Sequence, residues 1–538
     1  MGLLNQKQLL ALGDEAVSFG AIDAGVKGVF GYPGTPSTEV FETAEILIKE
    51  MNDSKRVAQW AANEKVAYEM ALGCSYSGNR TLVTMKHVGL NVAMDAFVNS
   101  ALTGVRGGFV VLVADDPSMH SSQNEQDSRY LTSFANIPCL EPSTQQEAYN
   151  LTIKAFDLSE KLKLPILLRL VTRLAHSRGV IYREETKEPV TLGIPTKEEA
   201  FNWVLVPRIS RIKYNKLREN LPLLQKTVEK YNKLKLGRDR LGIVASGMGK
   251  AHFDQLCREN ERVRDFTRLD IQAYPIEHEI IEEMLAHCDV IYVFEEDYPY
   301  IEDQFLARTR QTKIHGRRDR TIPISGEITP LEIREILRIE TPESKKRTKL
   351  DLPVRPPRLC EGCGHIDAYK VITAAFKEIG MEDFRVFGDI GCYTLGVESP
   401  YESLHSTVEM GASIGMTLGA ALSGMEPAVG VIGDSTFFHS GMPTLVGMAK
   451  CKVNANIIIM DNRTTAMTGQ QPTIAENIIP KVAEGVGFKK ENIFNLIPLP
   501  KYHAENVKKM VTAFKHDGPD VIIFKRDCVQ ALRKGLLK

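Results

Sequence analysis

Two apolar runs, each stopping at a polar tip, constrain this chain more than any other feature. In VGVIGDSTFFHSGMPTLVGMAKCKVNANIIIMDNRTTAMTG, the runs VGVIG and NIIIMD end at Gly433-Asp434-Ser435 and Asp461-Asn462-Arg463-Thr464, with twenty-five residues between the tips. Short apolar runs bounded by turn residues, with helix-like sequence between them, predict a strand-helix-strand unit of a parallel sheet. Such sheets hold their ligands at the carboxyl ends of the strands. Here that place carries the Asp434 carboxylate, the Asn462 amide and a main-chain carbonyl at Thr464. These are the oxygen donors that Mg2+ takes alongside phosphate oxygens. Asp and Asn at strand ends are also ordinary turn formers, so the reading needs support from elsewhere in the chain.

The same alternation fills the rest of the sequence. Residues 1–185 run GVKGVFGYPGTPS, NEKVAYEMALGCSYSG, TLVTMK, GGFVVLVADDPS and LPILLRLVTR, a pattern for a parallel sheet covered by helices. Residues 186–240 turn basic and helical; from Val206 to Arg240 there are eleven Lys or Arg against three acids, spaced as a solvated connecting helix. A second alternating block, 241–340, contains GIVASG and DVIYVFEED, and its Gly247-Met248-Gly249-Lys250 turn lacks the spacing and the Ser or Thr of a P-loop. Residues 341–358, rich in charge and proline, read as a linker to the last block, 359–538.

At 538 residues the chain exceeds a single core, and 67 basic against 68 acidic residues give no electrostatic case for nucleic acid or an anionic membrane. No apolar stretch approaches the roughly 18 to 20 residues of a membrane span, and the amphipathic N-terminus carries Asp14 and Glu15, unlike a secretory signal. The expectation is a cytoplasmic protein. Nine cysteines over this length do not make a disulfide framework, and the odd count argues further against one; Cys360, Cys363, Cys392, Cys451 and Cys528 all fall in the last third.

The pattern at the Asp434 and Asn462 tips resembles the metal-diphosphate motif of thiamine diphosphate enzymes, and that cofactor also needs a carboxyl group beside its aminopyrimidine ring. Glu64 is the candidate, opening a helix whose following face holds Ala67, Ala71 and Gly73; taken by itself it reads first as a helix-start acid favoured by the macrodipole. Six segments in order, GYPGTPS (31–37), NEKVA (63–67), TMKHVGLN (84–91), GDIGCYTLG (388–396), GDSTFFHSG (433–441) and DNRTTAMTG (461–469), together resemble the alpha subunit of indolepyruvate:ferredoxin oxidoreductase. This is a branch of the thiamine diphosphate-dependent 2-oxoacid oxidoreductases.

The resemblance implies a multi-domain α/β fold, with a pyrimidine-type domain first, a transketolase C-terminal-like domain in the middle and a diphosphate-type domain last. It implies Glu64 at the aminopyrimidine, Gly391, Gly433, Asp434, Ser435, Asn462 and Thr464 around the diphosphate, and Asp434, Asn462 and the Thr464 carbonyl on Mg2+. Thr35 would contact substrate. Arg129 would bind the substrate carboxylate, or else be a surface Arg paired with Asp127. His87 would relay protons, or else cap the following helix. Cys360, Cys363, Cys392 and Cys528 would hold one [4Fe-4S] cluster, with zinc the chemical alternative; Cys451 reads as buried packing.

Related chains continue into a ferredoxin-like tail, and this sequence ends at Lys538 without one. The expected partners are therefore a smaller beta subunit and ferredoxin or another electron carrier, in a hetero-oligomer built on an alpha dimer, with coenzyme A as co-substrate. The implied reaction is oxidative decarboxylation of an aryl 2-oxoacid to an acyl-CoA. The alternatives are a non-oxidative thiamine-dependent decarboxylase or lyase, and a silent scaffold.

Overall fold

A computed structural model describes residues 3–342, 356–475 and 477–537. Two compact units form, residues 1–349 and 350–538; most of the linker read at 341–358 lies outside the described residues.

The first unit is built on a seven-stranded sheet. Its spatial order is Ala273–Tyr274, Cys139–Leu140, Ile166–Val171, Phe109–Asp115, Thr81–Lys86, Gly28–Gly31 and Val57–Trp60, parallel throughout except for the first pair. Strands buried on both faces need no polar side, which is why FVVLVAD and ILLRLV read as continuous apolar runs. Successive residues still alternate between cores. Leu82 and Val110 pack with the helices Gly13–Asp23, Thr38–Met51 and Gln145–Leu162, whereas Val83 and Val111 pack with Glu64–Tyr76 and Met94–Thr103.

A second sheet of this unit runs Lys313–His315, Val290–Phe294, Leu241–Ser246, Thr267–Ile271, Lys233–Lys235. Its Val244, Leu269 and Val293 share one core with Phe109 and Val111 of the first sheet. The stretches read as 1–185, 186–240 and 241–340 thus lie within a single unit, and Ala273–Tyr274 crosses over to edge the first sheet. The basic stretch contributes the helices Pro207–Glu219 and Leu221–Val228. Lys250 is held by Glu147 at 3.0 Å and by Asp254 at 3.3 Å, a structural ion pair rather than a phosphate ligand.

The second unit is a parallel five-stranded sheet ordered Val386–Phe387, Ala428–Gly433, Ala455–Asp461, Asp520–Lys525, Ile493–Leu496. The helices Gly364–Glu378 and His503–Phe514 cover one face. Ala412–Leu422, Met442–Met448 and Ile479–Val486 cover the other. The register pairs Gly433 with Met460 and Asp461 with Lys525. The carboxyl ends of the three central strands are therefore level, and the segments that leave them, Asp434-Ser435, Asn462-Arg463-Thr464 and Arg526-Asp527-Cys528, crowd together. Among the described residues no helix is long and apolar enough to cross a membrane.

Candidate active site

Asp434 follows its strand directly and is almost wholly buried. Oδ1 accepts the Ser435 amide at 2.7 Å, while Oδ2 is buried with no hydrogen-bond partner. Burial, and then the nearby charge of Asp461, push its pKa up to about 8. A buried carboxylate oxygen left unpaired beside a second acid is a site short of a cation, and the Mg2+ read from the sequence fits it. Asn462 Oδ1 accepts the Thr464 amide at 3.1 Å, which fixes the tip as an Asx turn and leaves a lone pair on that oxygen. Thr464 donates its hydroxyl to the Gln471 carbonyl at 2.9 Å. Ser435 Oγ bonds Thr473 and accepts from Thr465, each at 3.0 Å.

Cys360, Cys363, Cys392 and Cys528 line one cavity of about 110 Å³, and Asp461 and Asn462 belong to the same wall. Burial, then the charges of Cys363, Cys528 and Cys360, push Cys392 up to about 12. Burial, and then the charges of Cys360 and Cys528, also raise the Cys363 thiol above its ordinary range. Four cysteines are a donor set for one iron–sulfur cluster or for one tetrahedral zinc. Cys363 also caps the fifteen-residue helix Gly364–Glu378, whose dipole favours negative charge there. His365 Nδ1 lies 3.3 Å from Cys363 Sγ, and burial lowers its pKa to about 4, so the ring is neutral. Cys451 is half-buried outside this wall, donating to the Gly447 carbonyl at 3.5 Å, which corrects the reading of it as buried packing.

The cysteine wall and the metal tip are joined by main chain. The Cys528 amide donates to the Asn462 carbonyl at 3.1 Å and the Arg526 amide to the Asp461 carbonyl at 3.0 Å. Arg463 adds a two-armed ion pair to Asp527, 2.6 Å on each arm. Sequence reading missed Arg463, Asp527, Arg526 and His365; the KRDC string beside Cys528 was the available signal.

In the first unit Glu64 opens its helix and is buried, with Asn63 capping through Val66 at 2.9 Å. It packs on Gly89: a Cβ there would stand 2.6 Å from Glu64 Cγ and 2.7 Å from Oε1, so only glycine leaves the carboxylate its place. Thr35, half-buried in the loop after Gly28–Gly31, accepts Ser121 Oγ at its carbonyl at 3.1 Å. Lys86 Nζ donates to the Ser121 carbonyl at 2.7 Å, and burial, opposed by Asp116, lowers its pKa to about 8.

His87 is fully buried at the start of the helix His87–Val92, and neither ring nitrogen has a hydrogen-bond partner, so it does not cap that helix. Burial lowers its pKa against the pull of Asp115, so the ring is neutral. Arg129 keeps the Asp127 pairing expected of it but not the surface position. It pairs with Asp127 but is wholly buried, and all five N–H groups meet acceptors: Asp127, Glu295, Tyr274 and the carbonyls of Glu296 and Tyr298. No donor remains for a substrate carboxylate, and Arg129 acts as a structural tie within the unit.

Two family models match. One described as pyruvate flavodoxin/ferredoxin oxidoreductase, thiamine diphosphate-binding, covers residues 19–208. One described as the thiamine pyrophosphate enzyme C-terminal TPP-binding domain covers residues 389–524. The chain is 34% identical to the indolepyruvate oxidoreductase subunit IorA of Archaeoglobus fulgidus, over 97% of this chain and 86% of that one. It is 38% identical to the same subunit of Methanothermobacter marburgensis, over 86% and 76%. A solved 2-oxoglutarate:ferredoxin oxidoreductase from Magnetococcus marinus superposes on 62% of this chain and 65% of its own, with a TM-score of 0.49 at 16% identity.

Proposed function

Because this chain belongs to the family of indolepyruvate oxidoreductase IorA subunits, we propose that it decarboxylates an aryl 2-oxoacid oxidatively to an acyl-CoA, passing electrons to ferredoxin or a partner subunit. Thiamine diphosphate, when bound, supplies the electron sink for the charge left by departing CO2, and a [4Fe-4S] cluster accepts electrons one at a time. Asp434, Asn462 and the Thr464 carbonyl would hold the Mg2+ that anchors the diphosphate, with Gly391, Gly433 and Ser435 around it. Glu64 Oε, whose place the missing side chain of Gly89 leaves free, would hold and return the proton of the aminopyrimidine ring. Thr35 and the neutral His87 would face substrate, through a hydroxyl and an uncharged ring. Cys360, Cys363, Cys392 and Cys528 would carry the cluster.

The observation that carries the oxidative reading is the shared wall: the four cysteines line the same cavity as Asp461 and Asn462 of the metal tip. A lyase needs no redox centre there, and a scaffold needs neither the unpaired Asp434 oxygen nor the thiols. Iron and acid-labile sulfide should be measured on anaerobically purified protein and the product identified after adding indolepyruvate and coenzyme A. About four iron per chain with acyl-CoA formed upholds the proposal; no iron with quantitative release of aldehyde replaces it with the lyase.

A further inference from the structure

Asp14 is completely buried, yet neither carboxylate oxygen has a hydrogen-bond partner. It stands apart from the residues assigned above, at the start of the helix Gly13–Asp23, which packs closely on the short helix Thr172–His176. A Cβ on Gly13 would fall 2.3 Å from the Leu174 carbonyl oxygen, so only glycine permits the approach. From the other side, Ser18 Oγ donates to the Val40 carbonyl at 2.6 Å and ties the same helix to Thr38–Met51, which carries Glu39. The result is that Asp14, Glu39 and His176 each present a ligand atom within 4.8 Å of the others. Glu39 Oε2 lies 3.5 Å from His176 Nε2.

A carboxylate taken out of water with both oxygens unbonded is costly, and a second acid beside it raises the cost. A proton shared between Asp14 and Glu39 would register as a short oxygen–oxygen bond, and none forms: Glu39 Oε2 faces His176 instead, which lowers the Glu39 pKa and has its own raised, while burial and then the Glu39 charge hold the Asp14 carboxyl well above its ordinary range. A multivalent cation removes the deficit. One imidazole nitrogen with two carboxylates is a donor set for a first-row divalent metal, since Mg2+ and Ca2+ prefer all-oxygen surroundings. Glu39 and His176 keep solvent-facing side-chain surface, 40% and 35% exposed, while Glu39 Oε2 and both Asp14 oxygens are themselves buried.

We propose that Asp14, Glu39 and His176 bind a divalent transition cation of the zinc class. Glu39 lies four residues beyond Thr35, so the ion pins the end of the loop that carries Thr35. Binding itself is independent of the reaction assigned above.

The test uses anaerobic holoprotein saturated with Mg2+ and thiamine diphosphate, so that the thiols and Asp434 are engaged. Zn2+ is added, loose metal is removed by gel filtration, and bound zinc is counted by mass spectrometry and by competition with a fluorescent chelator. The parent should retain one zinc per chain more than Asp14→Asn and His176→Gln. Loss of a direct ligand should weaken binding by roughly 100-fold or more, exceeding the effect of outer partners. Asp14→Asn keeps the shape of the side chain, and His176→Gln changes a part-exposed one, so circular dichroism should show both folded. Equal zinc in parent and both variants overturns the site. So does a protonated Asp14 carbonyl stretch in the infrared that persists when zinc is added, because the ligand must be ionised.

Discussion

Replacing Asp434 by asparagine should stabilise the cofactor-free protein while abolishing cofactor binding. The Asp434 carboxyl titrates near 8 in the folded chain, raised by burial and by Asp461, against an ordinary value of 3.8. The unfolded carboxyl ionises first, so folded stability falls as pH rises from about 4 and levels off only as the folded group ionises near 8. At about 1.4 kcal/mol per pH unit, the rise from pH 4 to pH 7 amounts to an upper bound of about 4 kcal/mol. An asparagine amide does not ionise, so the variant escapes this loss. Denaturant midpoints of apo parent and Asp434→Asn should coincide near pH 4 and separate progressively up to pH 7, the variant being the more stable. Calorimetric titration with Mg2+ and thiamine diphosphate should give binding to the parent alone. A gap that does not change with pH, or a variant that binds the cofactor as tightly as the parent, refutes the reasoning.

Glu64→Gln should retain thiamine diphosphate but slow hydrogen–deuterium exchange at its C2 by orders of magnitude, read by proton NMR after quenching; exchange at the parental rate removes Glu64 from the chemistry. Gly89→Ala, whose new methyl meets the Glu64 carboxylate at 2.6–2.9 Å, should cost about 1–3 kcal/mol in thermal unfolding and a comparable share of activity; an unchanged kcat/KM shows that the Glu64 position is not critical. Indolepyruvate and phenylpyruvate should exceed pyruvate in kcat/KM, and a clear preference for pyruvate places the chain in another branch of its superfamily.

How far the sequence could be read depended on how local each signal was. The Asp434 and Asn462 tips were legible because apolar run, polar tip and helix follow one another without interruption, and adjacent parallel strands bring the tips level. The four cysteines came as a set only through resemblance, since 168 residues separate Cys360 from Cys528. Their cavity depends on Asp520–Lys525 inserting beside Ala455–Asp461 while Ile493–Leu496, earlier in the chain, takes the edge. No local pattern announces that strand order. Arg129 illustrates the opposite failure: arginine is rarely buried unless paired, and its partners Glu295, Glu296 and Tyr298 lie 166 to 169 residues downstream. The pairing of Ala273–Tyr274 with Cys139–Leu140 was hidden for the same reason.

The two hydrogen bonds and the Arg463–Asp527 pair that fasten the Cys528 segment to the Asn462 turn bear on how the protein must be handled. If air strips iron from the proposed cluster, the freed Cys528 loop takes with it the backbone that holds the diphosphate anchor in shape. Damage to the redox centre and loss of the vitamin cofactor would then travel together, and thiamine diphosphate added to an oxidised preparation would find a collapsed seat. Reconstitution would have to begin with iron and sulfide, and only afterwards would the cofactor bind.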